Sequence, residues 1–263
     1  MAGNYSLWGS WLPGKLTLAV IDEEQCTLLG LHEIPFSLDK WDARTLRREL
    51  QKSPLYGADY GRTSFLIFTE SSSLLPACDE ETAQTLFKEE NPNQEESKWL
   101  YHPLPRIQSQ VVAKASESVF DFLSQNFPDA SFRHYTGAAI EEGLFVSKKQ
   151  SDILARLIIQ PDSVHVILLD QGKLLFCNRF LARVTEDVLY YLFFALEQLE
   201  INRDDVVVMI SGHQEALSLN LDMLKEYLPR VEHEAVDPSL SVSLIHDPVA
   251  NRNLSLLNLF LCE

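Results

Sequence analysis

The chain has 263 residues, 46% hydrophobic and 23% charged, which is enough to bury a full core and excludes a disordered or fibrous chain. Its 38 acidic and 22 basic residues give a formal net charge of −16. A field of that sign repels phosphate backbones and anionic headgroups, so general nucleic-acid binding is disfavoured.

The first basic residue is Lys15, and the apolar run after it, Leu16 to Ile21, is too short for a signal core and closes in Asp22-Glu23-Glu24. Leu16–Asp22 reads as a strand ending on an aspartate, with a second strand over Cys26–Ile34. A helix over Asp42–Lys52 and a buried strand over Thr63–Thr69 follow. Asp79 caps a further helix running to Lys88, with Glu80 and Glu81 in its first turn. Phe87–Lys98 is polar and reads as a loop, and Arg106–Lys114 alternates as a strand. Ser116–Phe127 is an amphipathic helix with Val119, Phe120, Leu123 and Phe127 on one face. Ala130–Thr136 reads as an edge strand and Ala138–Lys149 as a linking helix, which places a domain boundary near Gln150.

Beyond that boundary, Ala155–Ile159 and Ser163–Leu169 lead into Asp170-Gln171-Gly172, and Lys173–Phe180 forms a third strand. Thr185 is the expected N-cap of a helix to Leu199. Leu189, Leu192, Phe193, Leu196 and Leu199 make one apolar stripe, and Tyr190, Tyr191 and Phe194 extend apolar character around it. Such a helix is either a central one, between the sheet and the other half, or an aromatic face for docking a partner. The strand Asp205–Ile210, the turn Ser211-Gly212-His213 and a helix over Gln214–Tyr227 come next. The C-terminal run Leu254–Cys262 is about half the length needed to span a bilayer. Together these features predict a cytoplasmic protein with no membrane insertion.

The two halves share a plan. In each, a strand closed by an aspartate is followed by a turn, a strand, a helix, a buried strand and a helix, at a near-constant sequence offset. This predicts a duplicated ββαβα unit, with residues 1–150 forming one half and 151–263 the other.

Sequence motifs for chemistry are sparse. The complete phosphate loop G-x-x-x-x-G-K-[ST] does not occur, since Gly9-Ser10-Trp11-Leu12-Pro13-Gly14-Lys15 has the glycine and lysine spacing but is followed by Leu16. The absence of G-x-G and G-x-S-x-G removes the dinucleotide fingerprint and the serine-hydrolase elbow. Cys26, Cys78, Cys177 and Cys262 are scattered and read as reduced, buried thiols. Glu232-His233-Glu234 and His246-Asp247 lack helical ligand spacing and read as exposed polar residues rather than metal ligands. His165, inside an apolar run, reads as a hydrogen-bonded sheet residue.

The strand plan, with Asp170-Gln171-Gly172, Phe176-Cys177-Asn178, Tyr190-Tyr191, Gln198-Leu199, Ser211-Gly212-His213 and Leu261-Cys262-Glu263, resembles an uncharacterised Bacteroidetes family with an actin-like ATPase fold. The plan is more distantly similar to the actin-like adaptors of type IV pili and type II secretion. The resemblance implies an α/β (α+β) chain of two duplicated ribonuclease-H-like domains, with mixed sheets flanked by helices. Actin-like ATPases hold phosphates between two hairpins that typically begin Asp-x-Gly, with the aspartates positioning Mg²⁺ through water. On that basis Asp22, Asp170, Gly172, Ser211 and Gly212 are the candidate cofactor-binding residues, as vestiges of a nucleotide site. Glu24 stands where the first glycine is expected, and Lys173-Leu174-Leu175 replaces the usual small and hydroxyl residues. The expectation is therefore no catalytic residue, no metal site and a protein partner, a homo-oligomer included. The alternative is an ATPase or phosphotransferase using ATP and Mg²⁺ with atypical loops.

Overall fold

The computed structural model describes residues 5–37, 41–92, 97–212, 219–234 and 241–242. The expectations for His213, His246-Asp247, Cys262 and the run 254–262 lie outside them, as does the start of the helix expected from Gln214.

The first half begins with three antiparallel strands, β1 (Tyr5–Leu12), β2 (Lys15–Asp22) and β3 (Thr27–Pro35). Helix α1 (Ala43–Leu50) follows, its first turn closed by the Asp42 carboxylate, which accepts from the Arg44 and Thr45 amides. Strand β4 (Arg62–Ile67) then pairs in parallel with β1. A separate lobe is inserted next, consisting of β5 (Ser72–Pro76), α2 (Glu80–Glu90), β6 (Lys98–Leu104) and β7 (Ser109–Ala115). Its strands form their own sheet in the order β5-β7-β6. Asp79 caps α2 as expected, accepting from the Thr82 amide. The chain then returns to the first sheet through α3 (Glu117–Asn126), β8 (Ser131–His134) and α4 (Tyr135–Ser147).

The second half repeats this plan without the insertion. Strands β9 (Ile153–Gln160), β10 (Ser163–Asp170) and β11 (Lys173–Leu181) are antiparallel. They precede α5 (Thr185–Gln198), β12 (Val206–Gly212), α6 (Leu221–Tyr227) and β13 (Val231–His233). The second sheet runs β11-β10-β9-β12-β13, matching β3-β2-β1-β4-β8 within the first. A short strand from late in the chain, β14 (Ser241–Val242), adds in parallel to the outer edge of β3.

The repeated unit is thus βββαβαβ rather than ββαβα. Strand β1 lies outside the predicted unit because its residues are buried on both faces after Tyr5 and so show no alternation. The helices that hold the same ordinal place in the predicted repeat, α2 and α6, are not counterparts. The true counterpart of α6 is α3, because α2 belongs to the inserted lobe. A third difference is the helix start near Thr185, where Val184 is the N-cap and the Asp187 carboxylate accepts from the Arg183 and Val184 amides.

Apolar clusters cover the outer face of each sheet, one against α1 and α3 and one against α5 and α6. A third cluster draws on both halves around α4, joining Trp8, Ile21 and Leu66 to Leu154, Ile158 and Ile167. The helix between the halves is therefore α4, and α5 is not a central one. It lies on the outer face of the second sheet, burying Val188, Leu192 and Ala195 while Tyr190 is 64% exposed. Small residues let α4 fit between the sheets. A Cβ at Gly137 would sit 2.4 Å from the His102 ring, and one at Gly143 would sit 2.9 Å from Leu169.

Polar anchors fix α4 in place. Arg156, mid-strand on β9 and wholly buried, pairs with Glu142 of α4 at 2.5 Å and with Glu234 just after β13, and it donates to the Ala139 carbonyl. Burial opposes the guanidinium charge, but the two carboxylates outweigh it and raise its pKa above the ordinary value. Removing one partner from such a group strands the others without solvent. Arg156→Ala is expected to lower the unfolding free energy by about 3–5 kcal/mol in urea titration. Arg156→Met combined with Glu142→Leu and Glu234→Leu should recover most of that loss, since an apolar replacement leaves no buried charge behind.

Candidate functional site

In each sheet the first strand runs parallel to the fourth, and the carboxyl ends of these strands are brought together across the middle of the molecule. Phe68, following β4, lies edge-on to the His165 ring of β10 at 5.8 Å and carries the Arg179 guanidinium of β11 at 5.5 Å from its ring centre. Arg179 also donates to the Glu70 carbonyl of the first half. In open α/β sheets such a crevice, at the carboxyl ends of the strands, is where ligands bind.

The turns facing this crevice are those between β1 and β2 and between β9 and β10. They read Pro13-Gly14, closed by the Leu12–Lys15 pair, and Pro161-Asp162, closed by the Gln160–Ser163 pair. Each contains a proline, which has no N–H to offer a phosphate. Lys15 is bound to Glu33 at 2.6 Å, and Asp162 to Arg179 at 3.3 Å. Each turn therefore has one amide fewer to offer, and only Pro161-Asp162 carries an aspartate, so the aspartate pair expected for Mg²⁺ is not found at these turns. Among the described residues, no group of three or more His, Cys, Asp or Glu side chains is placed to hold a metal ion.

The candidate residues divide between the two ends of the sheets. Asp22 pairs with Thr27 and lies opposite Tyr5, at the amino end of β1. Its carboxylate accepts from the Gln25 amide and closes the β2–β3 turn, leaving Glu23 and Glu24 exposed there, away from the crevice. Asp170 and Gly172 occupy the equivalent turn after β10. Gln171 and Gly172 both take positive φ, 45° and 81°, as a two-residue type I′ hairpin requires. The Gly172 amide donates to Ser147 Oγ at the end of α4, so this turn docks on the linking helix. Ser211 and Gly212, by contrast, do lie at the crevice end, opposite Ile158 and Ile159. About 20 Å of strand separates the two groups at the rise of a β-strand, so they do not share one site. Gly212 is required sterically: its φ is +87°, and a Cβ there would lie 2.2 Å from the Ile159 carbonyl oxygen.

Several residues at the crevice carry no sequence motif. A cavity of about 220 Å³ lies between the halves, bounded by Glu70, Ser72 and Thr136 on one side and His165, Cys177 and Arg179 on the other. A buried polar chain runs beneath it. Thr69 Oγ1 donates to the Ser71 carbonyl and so accepts from His134 Nε2, while His134 Nδ1 accepts from the Thr136 amide. Thr136 Oγ1 in turn meets His165 Nδ1 at 3.4 Å, and His165 Nε2 has no protein partner. The signal that could have located this region was polar residues within apolar strands: Ser10, Gln160 and Ser211 are also buried at this end, with side-chain atoms unpaired.

Other chemistry is muted. Burial pushes the Cys177 thiol up to about 12, so it is protonated at neutral pH and a poor nucleophile. Cys26, Cys78 and Cys177 are free and half-buried, rather than buried as expected. Glu232 and His233 are exposed, whereas Glu234 is the buried partner of Arg156.

Comparison with known proteins places this geometry. Residues 2–231 match the family described as Protein of unknown function (DUF3822). The chain belongs to that family. Over its whole length it is similar to a Bacteroides thetaiotaomicron protein solved with an actin-like ATPase fold and unknown function, at 20% identity and a TM-score of 0.83. The match covers 97% of that protein. It is also similar to a solved PilM-PilN type IV pilus biogenesis complex, at 11% identity and a TM-score of 0.58, covering 97% of each chain. A comparison with curated proteins finds no sequence match. The DUF3822 chain thus has the actin-like ATPase fold. None of its described helices is long and apolar enough to cross a membrane.

The buried imidazoles give the site a pH signature. Loss of solvation holds His165 at about 3, aided by the Arg179 charge, and holds His134 at about 3, aided by the neighbouring imidazoles. Both rings are neutral when folded and protonate near 6.5 when unfolded, so the unfolded state binds more protons between those values. Stability is full above about pH 6.5 and falls as the pH drops towards 3, each ring contributing a slope of up to about 1.4 kcal/mol per pH unit. Urea unfolding at pH 7, 6 and 5 should show this decline, and His165→Phe should make it shallower. An unchanged slope would rule out a buried neutral His165.

Proposed function

We propose that this DUF3822 protein is a non-catalytic, cytoplasmic member of the actin-like fold that works by binding another protein. The observation that carries this reading is the pair of crevice-facing turns, Pro13-Gly14 and Pro161-Asp162. They occupy the place where phosphate-binding hairpins are expected, and each has lost an amide donor to proline. Favourable binding of a triphosphate would also have to overcome a net charge of −16. The fold suits partner binding, since one protein of similar structure was solved as the PilM-PilN complex. The alternative, an ATPase or phosphotransferase, has one observation in its favour: the polar cavity beside Arg179 and His165.

Nucleotide assays separate the two readings. With millimolar Mg-ATP, phosphate release should stay at the buffer rate and the melting temperature should not move. A nucleotide present at 100 times its Kd would instead stabilise the fold by about 2.7 kcal/mol. Turnover that disappears in Gln160→Ala or Asp162→Ala would overturn the non-catalytic reading.

A further inference from the structure

The duplication allows the two sheet edges to be compared directly. Strand β3 and its counterpart β11 both end their sheets' antiparallel portion, but β3 has β14 along its outer edge. The outer edge of β11 pairs with no strand among the described residues, although β11 is nine residues long and contains no proline. A long open edge is a template for strand addition, and proteins usually blunt such edges. Here the surroundings do the opposite. On one face, Phe176, Phe180 and Tyr191 form a continuous stack, with Phe180 and Tyr191 4.2 Å apart and nearly parallel, and exposed Tyr190 and Phe194 extend it along α5. On the other face, Cys177 and Arg179 border the cavity between the halves.

Each face selects different chemistry. The aromatic stack favours apolar or aromatic side chains. The cavity edge carries the Arg179 guanidinium, whose five N–H groups exceed the three bonds it makes to Ser163, Glu70 and Asp162. Lys173, Arg179 and Arg183 lie along this segment with no acidic residue between 173 and 183, in a chain of net charge −16. We infer that β11 is the docking edge for an extended segment of a partner protein, which adds as a strand and alternates acidic side chains towards the cavity with apolar ones towards the aromatic stack. A second copy fits less well, because two β11 edges would bring the same basic residues face to face between two strongly acidic bodies. This inference rests on the interaction reading above and gives the partner its chemistry.

Hydrogen exchange on the full chain tests it, using a capped nonapeptide that alternates Glu with Val and Tyr, and a second in which Lys replaces Glu. The expected result is that the Glu peptide slows exchange at Leu174–Leu181 and the Lys peptide does not. Lys173→Glu with Arg183→Glu, both at exposed positions, should weaken the Glu peptide by about ten-fold and improve binding of the Lys peptide. Protection at other segments, equal response to the two peptides, or no protection at millimolar Glu peptide would overturn the proposal. Protection of β11 that grows with protein concentration alone, together with a dimer in sedimentation, would assign the edge to a second copy and overturn it equally. The nucleotide assays do not enter this outcome, so the docking edge and the non-catalytic reading fail separately.

Discussion

Arg156 lies mid-strand with no exposed surface, and its burial is tolerable because Glu142 and Glu234 meet it from two different segments. A guanidinium cannot shed its proton inside a protein, so the cluster has no neutral state to fall back on. Any rotation or slide of α4 along β9 would leave a charge unpaired. The surrounding core is apolar and non-directional, able to hold the halves together without specifying their register. The ionic cluster supplies that register. It sets α4 on the second sheet, and α4 in turn packs against strands of both halves. The facing of Phe68 with His165, and hence the crevice itself, follows from this placement.

Much of the fold was legible because hydrophobic periodicity is a local property. The cap at Asp79, the α3 stripe of Val119, Phe120 and Leu123, the edge strand at 131–134 and the linking helix are all stated by neighbouring residues. The features that neighbouring residues do not state depend on tertiary position. β1 is buried on both faces and shows no alternation to read. The inserted lobe sits between β4 and α3 in sequence, so α2 occupies the ordinal place of α3 and mimics the repeat. The α5 helix is apolar nearly all round, which suggested a central position, yet its excess aromatic surface faces solvent.

The site was harder to read for a geometric reason. Every antiparallel meander of three strands has two turns, and a short motif such as Asp170-Gln171-Gly172 does not say which end of the sheet it occupies. Only register does, and register places that turn and its counterpart after Asp22 at the amino ends of β9 and β1. Arg156 gave a clearer signal, a lone cation within Ala155–Ile159, but its acidic partners are distant in sequence. The His134, Thr136 and His165 chain left a weaker trace, since its members are far apart and individually resemble ordinary buried polar residues.

The position of these features also shows how little the fold depends on the turns at its crevice. The clusters that stabilise this chain lie on the faces of the sheets and around α4, whereas the crevice-facing turns are two-residue links whose side chains add little to the core. A change of sequence at Pro13-Gly14 or Pro161-Asp162 therefore leaves the hydrophobic core intact. Turns carry function and tolerate change for the same reason: the scaffold does not depend on them. The edges follow the opposite logic. β3 and β11 are copies of one element in one chain, so their differences are not set by the fold. β3 ends in a proline, holds Glu33 against Lys15 and carries β14, all features that close an edge. β11 keeps its length, its aromatic stack and its basic residues, and in a chain this acidic such a strip is suited to attract an acidic partner segment.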